Sequence, residues 1–450
     1  MMKARSRLFS FLLLVGISVP GLSPTASAQK PFEQMPASAR QLIAIKITGS
    51  QRYSEQTIAA ATGLQLGTPV IEEDFKKAAR RLGDMGVFTD IGYTFSYSSA
   101  GTKVEFQVTD SGKFVPARFE DFVWFSDAEL LKRIKQSAPL FDGMLPISGR
   151  LTDEVSDVLQ AMLVENAIPG QVDYVRAGPE DGPVQSIVYK VSNVVIRVRN
   201  IEFTGAGAEE LPALEEAALN LPDREYSRTR LDTLVQRQLL PVYYARGYLK
   251  AAFGEPQPKV VKQPSAETED GPRNQTVVDV AFAVTPGLQY KLKSLEWSGN
   301  HEFPTDVLQK MVRAKSGEPA NMVRLADNLK DIQKLYGSHG YVTATLKADA
   351  TYDNAAGTVV IRLDVKEGNV YHMGELEFRG LDNSLAAKLR NAWKIRPGDV
   401  YDSTYLSEYL PEAHKLLPPT LDWDVSPHVT ANVRDKTVDV DLIYSVKVPK

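Results

Sequence analysis

The sequence predicts an α+β fold of five tandem β-α-α-β-β modules, each a three-stranded mixed sheet with two helices on one face, in an elongated array. Three observations predict it. A short strand of alternating apolar residues ending in glycine recurs along the chain. A pair of helices separated by a Gly-x-Pro turn follows it. Two further strands with period-two alternation then close each unit.

The opening strand is clearest at Ile45-Lys46-Ile47-Thr48-Gly49, Ile201-Glu202-Phe203-Thr204-Gly205, Leu295-Glu296-Trp297-Ser298-Gly299 and Leu376-Glu377-Phe378-Arg379-Gly380. Corresponding positions lie roughly 80 to 95 residues apart, with a double interval between the first two. A degenerate copy at Arg118 to Phe125 keeps the aromatics, loses the glycine and fills that gap. A short helix comes next, as at Ser54 to Thr62, where Ser54 is the expected N-cap and Gly63 the stop. In the fourth copy Leu308, Met311 and Val312 share a face and Gly317 ends it. The turns Gly67-Thr68-Pro69 and Gly317-Glu318-Pro319 lead into a longer helix. Its apolar stripe is Phe75, Ala78, Leu82 and Met85 in one copy and Leu325, Leu329, Ile332 and Tyr336 in another. That helix stops at Gly86-Val87-Phe88, Gly247-Tyr248 or Gly340-Tyr341. Each of these glycines is read as a turn residue that supplies positive φ.

The closing strands come last. Ile91, Tyr93, Phe95 and Tyr97 alternate with Gly92, Thr94 and Ser96, and Val104, Phe106 and Val108 follow. In the fourth copy Val342, Ala344 and Leu346 precede Val359, Ile361, Leu363 and Val365. One apolar and one polar face means a sheet covered on one side. The boundaries read as signal peptide 1–28, flexible lead-in 29–41, and modules at 42–110, 114–193 (divergent), 195–286, 288–367 and 370–448. The linkers, Asp110 to Ala117 and Val365 to Met373, are short. A polar insertion, Gln263 to Gln275, interrupts the last hairpin of module three and reads as a solvated loop, with a partner-docking loop as the alternative.

This ordered set resembles the POTRA (polypeptide-transport-associated) domain over roughly residues 42 to 446. Modules one and four, Gly49 through Thr109 and Leu295 through Glu367, carry the resemblance best. Five such modules behind a signal peptide are similar to the periplasmic part of the outer-membrane barrel-assembly factor family (surface antigen repeat). The best-known members of that family continue into a membrane β-barrel, whereas this sequence stops at Lys450. Module two lacks both signature glycines. Module five has Pro418-Pro419 after its second helix, which predicts a bent or shortened final hairpin.

Composition narrows the function. Lys3, Arg5 and Arg7, the apolar run Leu8 to Val19, and Ala26-Ser27-Ala28 form a secretory signal, with cleavage expected between Ala28 and Gln29. The remaining chain holds 49 basic and 56 acidic residues, which disfavours nucleic acid and anionic lipid as partners. It has no cysteine, hence no disulfide, thiolate site or lipoprotein anchor, and no stretch long enough to span a bilayer. The histidines His301, His339, His372, His414 and His428 are scattered rather than set at ligand spacing. Asp422-Trp423-Asp424 and Asp439-Val440-Asp441 read as solvated strand acids. No nucleophile elbow, phosphate loop or dinucleotide fingerprint appears, so no enzyme, metal or cofactor is expected.

The resemblance implies a periplasmic, chaperone-like protein, associated with the outer membrane through partners, that binds unfolded or extended outer-membrane polypeptides. A separate barrel protein or assembly-machinery subunits are further candidate partners, and an adaptor docking folded envelope proteins is the rival reading. In POTRA domains the second strand lies at the sheet edge and the third is central. Edges are usually protected by lysine, proline or a bulge. In module three the equivalent strand, Leu249 to Gly254, carries Lys250 and runs into Pro256 and Pro258. Module four has Lys347 beside Thr343 and Thr345. Module one, outward at Gly92, Thr94 and Ser96, has neither protection, so this edge is either used by a client or covered by a linker or a neighbouring module. These five small residues are the candidate polypeptide-binding positions.

Overall fold

The computed structural model describes residues 32, 35–262 and 275–446. The cleavage position Ala28/Gln29 and nearly all of the insertion Gln263 to Gln275 lie outside them.

Module one opens with a helical turn, α1 (Ala37–Arg40), then β1 (Leu42–Thr48), α2 (Glu55–Thr62), α3 (Glu72–Asp84), β2 (Phe88–Ser98) and β3 (Gly101–Asp110). Ser54 caps α2 by accepting the Thr57 N–H, and Gly63 ends it at φ +75°. Asp74 reaches back to the Ile71 N–H at 2.9 Å to start α3. Phe75, Ala78 and Leu82 of α3 are buried, as are Val104, Phe106 and Val108 of the central strand. The strand order is β1-β3-β2, with β1 parallel and β2 antiparallel to β3. The second strand in sequence is therefore at the edge.

Module two comprises β4 (Phe114–Phe119), α4 (Asp127–Ser137), β5 (Met144–Pro146), α5 (Leu151–Glu165), β6 (Gln171–Ala177) and β7 (Ser186–Ser192), in the sheet order β5-β4-β7-β6. Its first strand lies earlier than the expected Arg118 to Phe125. Phe122 and Val123 leave the strand to bury themselves in a turn, while Phe114 and Val115 pair with β5. In module three, β8 (Val195–Thr204) is followed by α6 (Leu211–Ala218), α7 (Arg228–Leu234), a π-turn, α8 (Leu240–Tyr244), β9 (Ala252–Phe253), β10 (Gln257–Lys262) and β11 (Gln275–Thr285). The expected edge strand Leu249 to Gly254 shrinks to β9, because Ala251 closes a turn onto Tyr248 and pairing resumes only after Pro256.

Modules four and five repeat module one. They contain β12 (Lys291–Ser298), α9 (Thr305–Met311), α10 (Met322–Ser338), β13 (Thr345–Asp353) and β14 (Thr358–Lys366), then β15 (His372–Arg379), α11 (Asn383–Ala392), α12 (Tyr405–Lys415), β16 (Trp423–Asn432) and β17 (Thr437–Val446). Their sheets run β12-β14-β13 and β15-β17-β16. The final hairpin is neither bent nor short. Pro418 and Pro419 fall in the turn ahead of β16, and its pairing with β17 is continuous from Trp423↔Val446 to Asn432↔Thr437.

Glycines after the opening strands answer to more than turn geometry. Gly49, Gly299 and Gly380 all have positive φ, and a Cβ at each would run into the carbonyl oxygen of Val108, Val365 or Tyr444 on the neighbouring central strand. By contact the chain divides into two compact units. One comprises Met1–Ala117, Leu130–Ala161 and Arg176–Ile187. The other comprises Arg118–Glu129, Met162–Val175 and Val188–Lys450.

Candidate functional site

The edge strand β2 runs eleven residues without lysine, arginine or proline, and its one charge is Asp90, at the bulge between Phe88 and Ile91. Its register assigns each main-chain group a direction. Ser98 and Gly101 close a two-residue turn and exchange ladder hydrogen bonds, so Ser96↔Lys103, Thr94↔Glu105 and Gly92↔Gln107 are also hydrogen-bonded pairs. The other strand agrees: Thr102 N–H donates to Gln41 on the β1 side, and Ser111 N–H to Val87 on the β2 side. The N–H and C=O groups facing away from the sheet therefore belong to Ile91, Tyr93, Phe95 and Tyr97. Gly92, Thr94 and Ser96 are exposed on the helix-free face, Thr94 and Ser96 with their hydroxyls, but the main-chain groups of all three are used by β3. The sequence identified the strand and left this phase open.

Rings line the helix side of the edge. Phe95 lies 5.1 Å and Tyr93 6.2 Å from Phe75 between ring centroids. Phe32, from the lead-in expected to be flexible, is buried against the same rings, and Thr102 ties α1 to the sheet through Ala39 O at 2.8 Å.

The edge strands β13, β10 and β16 carry the charges or prolines that β2 lacks. In β13, Lys347 and Asp349 form an exposed ion pair at 3.0 Å. Thr345 is the first strand residue, opposite Lys366, but Thr343 is not on the strand at all. It sits in a turn held by Val342 N–H to Gly340 O and Ala344 N–H to Tyr341 O, so it offers no edge position. Pro258 lies within β10, and Pro427 sits mid-way along β16.

Four of the polar residues singled out in the sequence make structural bonds. Asp439 accepts the Glu375 N–H at 2.7 Å, and Asp441 pairs with Arg379 at 3.0 Å. His372 contacts Gly398 O and His339 contacts Leu335 O, each at 3.0 Å. Among the described residues no three His, Asp or Glu side chains are grouped to hold a metal. A cavity of about 420 Å³ between the end of α2 and α3 is lined by Gly63, Gln65, Asp74, Lys77 and Arg81 without a nucleophile–base pair. Among the described residues no helix is long and apolar enough to cross a membrane.

Inter-module joints escaped the sequence reading. The Tyr290 N–H donates to Gly247 O at 2.8 Å, and Tyr290 O accepts from Ala320. Tyr371 repeats both bonds with Gly340 and Tyr401. A Cβ on Gly247, at φ +85°, would stand 2.7 Å from Tyr290 O and 3.1 Å from Ala320 N. The glycine after the second helix is thus a contact surface for the next module as well as a turn. The repeated Tyr290 and Tyr371, each just ahead of a module's first strand, were the signal available. A different joint links the 118–129 segment to module three. Buried Glu120 accepts from Ser227 Oγ at 2.5 Å and Thr229 N–H at 2.6 Å, and Arg228 grips Asp127 with two hydrogen bonds.

Comparison with known proteins follows the same lines. Residues 290–368 match the family described as POTRA, surface antigen variable number repeat. A putative outer membrane protein assembly factor of Treponema pallidum (strain Nichols) is 28% identical over 169 residues, which is 37% of this chain and 19% of that protein. The chain thus spans about a fifth of the length of that relative. The crystal structure of Haemophilus influenzae BamA POTRA3-5 is 23% identical, covering 57% of this chain and 96% of that one, with a TM-score of 0.41. The crystal structure of POTRA4 of the same protein is 27% identical over 18% of this chain and 97% of its own, with a TM-score of 0.18.

Proposed function

We propose that this chain, a POTRA-domain protein by residues 290–368 and by its repeated β-α-α-β-β topology, binds extended polypeptide in the periplasm and acts in outer-membrane protein assembly or secretion. The matched family and the description of the Treponema relative support the setting. The observation that carries the binding reading is β2, an edge with four consecutive outward-facing main-chain positions and no proline or lysine to guard them. An added strand pairs with those groups while its side chains reach the aromatic row beside α3.

Magnitudes point to transient binding. Four hydrogen bonds at about 1 kcal/mol each yield about 4 kcal/mol, against an association cost of similar or larger size. Side-chain contacts with the rings supply the remainder, giving affinities on the order of millimolar to micromolar. Such weakness suits a protein that passes clients on. Catalysis has no part in this reading.

Substitutions separate the two main-chain phases. Tyr93→Ala removes a ring and keeps the outward N–H; Tyr93→Pro removes both. Binding of unfolded barrel peptides, followed by fluorescence anisotropy, is expected to survive in the first variant and fail in the second, with module one folded in both by circular dichroism. Thr94→Pro, which deletes a ladder donor, is expected to unfold module one. Equal binding by folded Tyr93→Pro and Tyr93→Ala rules out β2 as the site.

A further inference from the structure

Phe32 is only 7% exposed, and its ring centroid lies 5.0 Å from Phe95, 5.3 Å from Tyr97 and 6.4 Å from Phe75. Phe95 and Tyr97 are also two of the residues whose main-chain groups face outward from β2. A residue on an added strand opposite either of them would place its Cβ ~4.5–5.5 Å from theirs, within side-chain reach of the same rings. Phe32 therefore occupies ring contacts that an incoming strand would otherwise make.

The repeats sharpen this point. Tyr97 pairs with Thr102, as Tyr352 pairs with Val359 in module four and Ala431 with Val438 in module five. In module four the ring of Tyr352 is covered by Tyr290, 5.0 Å away, and by the Lys250 ammonium at 4.6 Å, both belonging to a joint between modules. In module five the position is an exposed alanine. Module one has the ring, and its cover comes from a residue ahead of the repeated β-α-α-β-β unit.

We propose that the aromatic seat formed by Phe75, Phe95 and Tyr97 receives an aromatic side chain of the polypeptide bound at β2, and that Phe32 is the chain's own occupant of that seat. This rests on β2 being the binding edge, and it names the client chemistry: an extended segment carrying Phe, Tyr or Trp on its helix-facing phase. Edge-to-face and tilted ring contacts reward an aromatic over an aliphatic guest. Competition from Phe32 keeps binding weak and favours segments that present a ring.

The test uses the full chain, a short Val/Thr-alternating peptide with lysine at each end and one central Phe, and a twin with Ala in place of that Phe. With Phe32→Ala the Phe peptide is expected to bind about tenfold more tightly, a shift of about 1.4 kcal/mol, while the twin is unchanged. Phe32→Leu, which keeps apolar volume without the ring, is measured in parallel. It takes over the same expectation if thermal melting shows that the alanine variant loses module one. Unchanged or weaker binding of the Phe peptide by the folded variant overturns the proposal. Tyr93→Pro separates this failure from failure of the edge itself. If the twin still binds that variant, β2 is not the site. If the twin is lost there while the Phe32 substitutions do nothing, only the seat is refuted. Binding of neither peptide to any form refutes both.

Discussion

Among the described carboxyl groups, Asp121 stands out for surroundings that oppose its charge. Burial raises its carboxyl pKa to about 7, and the neighbouring charges of Glu120 and Glu225 push the same way, against Lys190 and a hydrogen bond from Val191 N–H. A carboxyl raised in the folded state adds stability that is complete below its unfolded pKa and is lost as pH rises through the folded one. Between about pH 4 and pH 7 the contact around Glu120, Ser227 and Thr229 should therefore weaken as pH rises, by on the order of 1–3 kcal/mol after solvent screening. Hydrogen exchange of the α7 amides is expected to speed up across that window in the native protein and to stay flat in Asp121→Asn. An equally steep profile in the variant would assign the effect to another group. Nothing in the local sequence announces this site. Glu120-Asp121 is an ordinary acidic pair until the fold brings Glu225 and Ser227 beside it.

At the scale of the element, period-two alternation and glycine stops were enough to identify the strands of module one and most of those of module four, while the Pro418-Pro419 pair misled the reading of the last hairpin, which those prolines precede rather than bend. Legibility fell where a neighbour decided the outcome. Thr343 reads as part of an alternating strand, yet Tyr341 and Gly340 hold it in a turn that meets module five. The direction of the β2 main-chain groups depends on the Ser99-Ala100 turn and was open until the register was known. A joint glycine and a turn glycine make the same point energetically. Gly247 and Gly317 have nearly equal φ, +85° and +86°, but a Cβ on Gly317 meets nothing within 4 Å, whereas Gly247 meets Tyr290 O and Ala320 N. Gly317→Ala should cost only the left-handed backbone penalty, about 1–2 kcal/mol. Gly247→Ala should cost that and the displaced contact, about 2–4 kcal/mol in all. Urea unfolding midpoints check the pair. Equal losses would mean that this glycine serves only the turn.

For the whole molecule, the repeat was readable because each module solves the same burial problem with the same order of elements, even where module two discards both glycines. What the repeat alone does not distinguish is one copy's edge from another's, since that depends on small departures: Lys347 and Asp349 in β13, Pro258 in β10, Pro427 in β16, and none of these in β2. The central claim is that extended polypeptide pairs with the edge of module one. Residue-resolved hydrogen exchange on the full chain, with and without an unfolded outer-membrane barrel polypeptide, tests it most directly. In the free protein the amides of Gly92, Thr94 and Ser96 should already be protected and those of Ile91, Tyr93, Phe95 and Tyr97 should exchange fast. On adding client the second set should slow while the first stays as it was. Client that binds and leaves those four amides exchanging as fast as before would contradict the account.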